Sequence, residues 1–154
     1  MRNAFCGALV ELQAERRFAF LTGDLGFMAL EPLQAAMGGM FVNAGVAEQN
    51  MVGVATVLAE AGFLPFVYSL VTFAALRPYE FIRNGPLLHQ LPVRILAVGG
   101  GVEYGHNGAT HLGLEDVGVM RVQPGLKIVA PADSEQAKTA LLKTPGTAPG
   151  KGTA

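Results

Sequence analysis

Residues 18–24, FAFLTGD, form a short and continuous apolar run that stops on Gly-Asp. A strand with one wet face alternates apolar and polar residues, whereas an unbroken run reads as a strand covered on both faces, as in a parallel sheet. Such runs recur along the chain: MFVNAG (40–45), FLPFVYSL (63–70), LPVRILAVG (91–99) and LKIVAPAD (126–133). Pro65 fits only at the beginning of its strand, because proline cannot donate to the ladder.

Helical patterns lie between and around these runs. Phe5, Ala8, Leu9 and Leu12 recur at helical spacing, with Glu11, Glu15 and Arg16 opposite. EPLQAAMG (31–38) carries Pro32 in its first turn and Gly38 at its stop. Residues 46–61 form a helix ended by Gly62. TFAALRPYEFIRN (72–84) is a helix made irregular by Pro78, and LEDVGVMRV (114–122) reads as a short one. SEQAKTALLK (134–143) opens with Ser134 as its cap. Strand and helix in alternation predict an α/β fold, a mostly parallel sheet sandwiched by helices. The domain covers 1–143. The last eleven residues, TPGTAPGKGTA, are low-complexity and read as disordered. The chain is therefore expected to end on a helix without a closing strand.

Composition narrows the function classes. Of the 154 residues, 51% are apolar and 15% charged, yet no run approaches the ~20 apolar residues a membrane helix needs. A soluble chain this apolar is expected to bury surface against a partner. Net charge is -1 with no basic cluster, which argues against nucleic-acid binding. Cys6 stands alone, so an intramolecular disulfide is impossible and no Cys-x-x-Cys pattern exists. Its simplest place is the core side of the first helix. Glu11 and Glu15 follow the apolar stretch Phe5 to Val10 without a cleavage-like site, which is not a secretory signal, and a cytoplasmic location is the expectation.

The loop VGGGVEYGHNGATH (98–111) is no dinucleotide fingerprint: Gly99 and Gly101 would need a glycine at 104 and find Tyr104. Its position is more telling, because ligands of open α/β sheets bind beyond the carboxyl ends of strands. This loop sits there and carries His106, Asn107 and His111. The histidines have no metal-ligand spacing, and His89 reads as a surface residue, so no protein-only metal site is expected. Phe73, Leu76 and Tyr79 fall on roughly one helix face. Spacing alone does not choose between core, the usual role of such a stripe, and an apolar pocket for a flat heteroaromatic ring; core is the expectation from the residues alone. Glu48, in NAGVAEQNMVG (43–53), is a lone carboxylate at a helix start. The macrodipole suffices to explain a carboxylate there. Val46, Ala47, Met51 and Val52 make the setting dry, and a desolvated carboxyl shares a proton readily with a ligand base.

The segments NAGVAEQNMVGVATVLAEAGFLPFVYSLVTFAALRPYEFIRN, GHNGATH, EDVGVMR and IVAPAD together resemble the pyrimidine-binding domain of the transketolase family. The opening GALVELQAERRFAFLTGDLGF resembles the start of the separately encoded C-terminal subunit of split transketolases. The resemblance runs over roughly residues 1 to 143. It implies a chain that binds thiamine diphosphate between two domains. Glu48 then matches the glutamate that hydrogen-bonds the aminopyrimidine ring nitrogen, favouring the imino tautomer that deprotonates the thiazolium carbon. Phe73 matches the phenylalanine packed on the pyrimidine, with Leu76 and Tyr79 at the other pocket positions. Asp24 falls in the loop near the thiazolium, and His111 matches a histidine facing substrate and cofactor. His106 and Asn107 complete the expected substrate side. Asn107 stands where many transketolases have an aspartate, and Gly99 where they have a histidine, so an ordinary pentose phosphate is not implied as donor.

The Gly-Asp-Gly motif that holds magnesium and the diphosphate belongs to the family's other domain and is absent here. The resemblance therefore implies a partner subunit holding Mg2+ and the diphosphate, an active site at the interface, and a heterotetramer of two pairs. It also implies that the closing strand and a third domain are lacking here. Ketol transfer from a ketose to an aldehyde is the implied reaction. A 1-deoxyxylulose-5-phosphate synthase-like or 2-oxoacid dehydrogenase β-like enzyme, and a non-catalytic partner subunit, remain the alternatives.

Overall fold

Among the described residues four parallel strands carry the fold: β1 (Ala19–Thr22), β2 (Phe41–Asn43), β3 (Pro65–Leu70) and β4 (Arg94–Val98), in the order β2-β1-β3-β4. The computed structural model describes residues 2–15 and 17–144; Met1, Arg16 and the tail expected to be disordered beyond Thr144 lie outside them. Every strand pair is parallel, with Phe20 opposite Phe41 on one side and Phe66 on the other, and Val67 opposite Ile95. All four residues of β1 are buried, as its unbroken apolar run predicts.

Side chains on a strand alternate between faces, and here the two faces serve two helix layers. Phe20, Phe66 and Tyr68 pack with Cys6, Leu9, Leu12, Leu33, Met37 and Leu141. Those partners come from α1 (Arg2–Glu15), α2 (Glu31–Met37) and α7 (Ser134–Lys143). Ala19, Leu21 and Val67 turn the other way, against Met51, Val52 and Ala55 of α3 (Glu48–Glu60). Ala75 of α4 (Val71–Ala75), Ile82 of α5 (Tyr79–Ile82) and Met120 of α6 (Asp116–Met120) close that second core. Each fully buried Leu, Phe or Met stabilises the fold by about 1.5–3 kcal/mol. Cys6 is a core residue of α1, as expected.

Three expectations need correction. The run 126–133 makes no strand: it is unpaired, and Ile128 and Val129 are exposed. Its β-branched residues suit a strand, but a strand also needs a ladder partner, which composition does not supply. The cap of α7 is Asp133, not Ser134: Asp133 holds extended backbone and its carboxylate accepts the Gln136 N–H at 2.8 Å. The segment 72–84 is not one helix. It divides into α4 and α5 around Pro78 and runs on into a wide turn, Arg83–Leu87, that contains Pro86.

Candidate cofactor site

In a parallel sheet all strands end at one edge, which here gathers Thr22, Asn43, Leu70 and Val98. Glu48 opens α3 just beyond that edge and is 1% exposed. Its two oxygens have different partners. Oε1 accepts a hydrogen bond from the Ser69 hydroxyl at 2.9 Å, and Oε2 pairs with the Arg77 guanidinium at 2.9 Å. Strand parity explains the first contact. Ser69 lies two residues beyond Val67, so it shares the face that meets α3. Gly23 continues Ala19 and Leu21 onto the same face, and a Cβ there would stand 3.3 Å from Glu48 Oε1 and 3.4 Å from Ser69 Oγ. The absent side chain makes room for the carboxylate.

The Arg77 side chain is 39% exposed, so the pair joins a dry anion to a half-wet cation. Desolvation of Glu48 is offset by this ion pair and by the Ser69 bond, the two kinds of partner that let a buried charge persist. Met51 and Val52 are buried beneath it, but Val46, expected to help dry the setting, is exposed. The α3 cap residue, Ala47, offers no side-chain cap, and Glu48 turns inward to β3 and the α4–α5 joint.

Phe73, on α4, is half-buried and has two neighbours. The Arg77 guanidinium carbon lies over the ring, 3.9 Å from its centroid, and the His111 ring meets it edge-on at 5.2 Å. His111 reaches this place because the glycine loop is pinned at its base. Gly101 and Gly113 form an antiparallel bridge with bonds of 2.8 and 2.9 Å. Gly113 lies so close to α4 that a Cβ would stand 2.2 Å from Val71 Cγ1. The neighbouring Thr110 hydroxyl lies 2.9 Å from His111 Nδ1.

The structure thus joins Glu48 to Phe73 through Arg77, sets His111 against the Phe73 ring, and leaves other expected residues on separate ground. Leu76, in the joint between α4 and α5, is 38% exposed. Tyr79 opens α5 and packs against the core around Met51 and Ile82, so it does not continue one helix face with Phe73. His106 and Asn107 lie in an exposed turn, where the Tyr104 ring is 6.1 Å from that of His106. Asp24 is exposed at the end of β1 with a positive φ of 58°. The Asn43 amide donates to its carboxylate at 2.7 Å, and Asn43 Oδ1 accepts the Gly45 N–H at 2.9 Å. His89 is exposed, as expected.

Sequence reasoning missed Ser69, Arg77 and Asn43. Arg77 follows Phe73 by four residues, the spacing at which helical side chains meet, and was open to detection on that ground. Ser69 was readable from strand parity. Among the described residues no group of three His, Cys, Asp or Glu side chains gathers to hold a metal ion. No helix among them is long and apolar enough to cross a membrane. A surface depression of about 420 Å³, lined by Arg2, Asn3, Glu103 and Tyr104, includes none of the site residues.

Known proteins give this geometry a context. Residues 1–147 match the family described as transketolase, pyrimidine binding domain. The chain is 36% identical to a subunit of the apulose-4-phosphate transketolase of Phocaeicola vulgatus, over 89% of this chain and 45% of that protein. It is 33% identical to a 6-deoxy-6-sulfo-D-fructose transketolase subunit of a Clostridium species, over 92% of this chain and 44% of that protein. A solved split-gene transketolase, described as an inactive beta4 tetramer, superposes with a TM-score of 0.79 at 37% identity, covering 92% of this chain and 46% of the other. The chain spans a little under half the length of these relatives. With the family match extending over nearly all of its length, the chain belongs to the transketolase pyrimidine-binding domain family.

Proposed function

We propose that this chain supplies the pyrimidine-binding half of a split, thiamine-diphosphate-dependent transketolase-like enzyme. The reaction is transfer of a two-carbon ketol unit from a ketose to an aldehyde. The observation that carries the reading is Glu48: a carboxylate 1% exposed, at the carboxyl edge of a parallel sheet, linked through Arg77 to the face of Phe73. A carboxylate buried there needs a planar, cationic or proton-sharing donor, and Arg77 now fills that requirement. A protonated aminopyrimidine has the same chemistry: an N–H donor in the plane of a flat ring, with a face to stack. The chain's residues therefore fit the pyrimidine end of the cofactor.

When bound, thiamine diphosphate supplies the carbanion chemistry of ketol transfer. The chain's own part is narrower. Glu48 would hold a proton between Oε2 and the pyrimidine ring nitrogen, while the Ser69 hydroxyl keeps Oε1 occupied and the carboxylate oriented. Phe73, with half-exposed Leu76 further along the same segment, would supply apolar surface to the ring, while Tyr79, packed on the Met51 and Ile82 core, would support that surface from below. His111, at the edge of Phe73, would face the substrate, with His106 and Asn107 further out on the same loop. Asp24, fixed by Asn43, would lie toward the thiazolium.

Mg2+ and the diphosphate fall to a separate subunit in this reading. The relatives support it: two are subunits by name, and the split-gene structure is described as inactive as a beta4 tetramer. Assembly as two pairs is part of the same proposal. Co-purification with a candidate subunit carrying the magnesium motif, followed by calorimetry with thiamine diphosphate and Mg2+, tests the proposal. Much tighter binding by the mixture than by either chain alone is the expected result. Glu48→Gln should leave the complex assembled while ketol transfer falls by at least about a hundredfold, in the range of a lost general acid–base group. Turnover near the wild-type rate in that variant would remove the basis of the assignment.

A further inference from the structure

We infer that Arg77 is an internal, displaceable ligand of the pyrimidine seat, holding Glu48 and Phe73 in place of the aminopyrimidine until cofactor arrives. The inference rests on the reading of Glu48 and Phe73 as that seat. Two contacts define the seat, and Arg77 makes both. Its NH1 is 2.9 Å from Glu48 Oε2, and its guanidinium carbon is 3.9 Å from the Phe73 ring centroid. A guanidinium and a protonated aminopyrimidine are both planar cations with in-plane N–H donors and an open face. One group cannot donate to Oε2 while the other does so from the same ring face. Binding of the pyrimidine therefore requires Arg77 to leave.

The surroundings make that departure feasible. Glu48 is held on its other oxygen by Ser69, so the carboxylate keeps its orientation when Arg77 moves. Arg77 stands in the joint between α4 and α5, just before Pro78, and its side chain is 39% exposed. It can turn to solvent by side-chain rotation, without repacking the core. While it stays, it neutralises a carboxylate that would otherwise be buried without a counter-charge, a costly state for a subunit not yet loaded. The placeholder thus stabilises the unloaded chain and weakens its cofactor affinity by the same interaction.

The probe is the free hydroxymethyl aminopyrimidine half of thiamine, titrated into the full chain, wild type and Arg77→Ala, by calorimetry and by NMR of the arginine Nε–H groups. Arg77→Ala is expected to bind the probe at least about tenfold more tightly than wild type, roughly 1.4 kcal/mol. In wild type, one arginine Nε–H resonance should move toward the position of a solvated arginine as the probe saturates. Acetamidinium, a small planar cation, should raise the melting temperature of Arg77→Ala and leave that of wild type unchanged.

Equal affinity in both proteins, with no arginine resonance moving, overturns the placeholder. If Glu48→Gln then still abolishes binding, the pyrimidine seat itself stands. Failure of the probe to bind either protein overturns the placeholder and the seat together. Should Arg77→Ala fold poorly, Arg77→Gln and the wild-type resonance titration decide the same question.

Discussion

The Glu48–Arg77 pair sets a thermodynamic test that needs no cofactor. Glu48 is 1% exposed and Arg77 39%. Breaking a fully buried pair by deleting one partner costs about 3–5 kcal/mol, and an exposed pair contributes under about 1 kcal/mol. A pair dry at one end only falls between, so Arg77→Ala should cost about 2 kcal/mol. Most of that is the stranded Glu48 charge; the lost stacking on Phe73 adds under about 1 kcal/mol. Glu48→Gln should cost about 1 kcal/mol, since the amide still bonds to Ser69 and the freed arginine can hydrate. In the double variant no charge is stranded, so its cost should fall below the sum of the two by about 1 kcal/mol. Urea unfolding of the full chain and both single and double variants closes the cycle. Strictly additive costs, or an Arg77→Ala chain as stable as wild type, would show that the buried carboxylate does not depend on the guanidinium.

Other expectations follow from the same contacts. Ser69→Ala strands one oxygen of a buried carboxylate and should cost about 1.5–3 kcal/mol in urea unfolding. Gly113→Ala drives a methyl into Val71 and should cost about 1–3 kcal/mol while speeding proteolysis within the glycine loop. Burial pushes the Tyr68 hydroxyl up to about 12 from an ordinary 10. The unfolded chain releases that proton first, so the contribution is intact below pH 10 and is lost as pH rises from 10 toward 12. The loss should reach about 2 kcal/mol, and Tyr68→Phe should flatten it in alkaline melting curves. Burial also raises the Cys6 thiol, so native Cys6 should resist iodoacetamide at pH 8 and be labelled only as the chain unfolds.

The sheet was legible because burial on both faces leaves a one-dimensional trace: β1 and β3 are nearly continuous apolar runs, broken only by Thr22 and Ser69 toward their ends, and are found where those runs lie. The run at 126–133 has the same trace without the pairing, because a ladder is made by a neighbour and not by the run itself. The cap of α7 was misplaced by one residue because Asp133 and Ser134 both suit a cap and only backbone geometry separates them. At the site, the lone carboxylate was visible as a charge in dry surroundings. Strand parity and helical spacing single out Ser69 and Arg77, but not as its partners, since they follow it by 21 and 29 residues and meet it only when β3 pairs with β1. Pro78 marked the irregularity of its helix but not the consequence, that Phe73 and Tyr79 belong to different short helices.

A seat that accepts a guanidinium as readily as an aminopyrimidine cannot by itself be selective. Its recognition rests on planarity, positive charge and one in-plane donor, features shared by many small molecules and by the chain's own Arg77. Selectivity in the proposed enzyme must then come from the far end of the cofactor, where a partner would grip the diphosphate. Tethering turns the second contact into an intramolecular one, and an effective concentration in the mM range is enough to displace a placeholder that a free pyrimidine displaces poorly. A division of the proposed enzyme into two subunits would then have a physical consequence. Until a partner presented the anchored cofactor, Arg77 would keep the proposed pyrimidine seat occupied, charge-neutral at Glu48 and closed to stray cations.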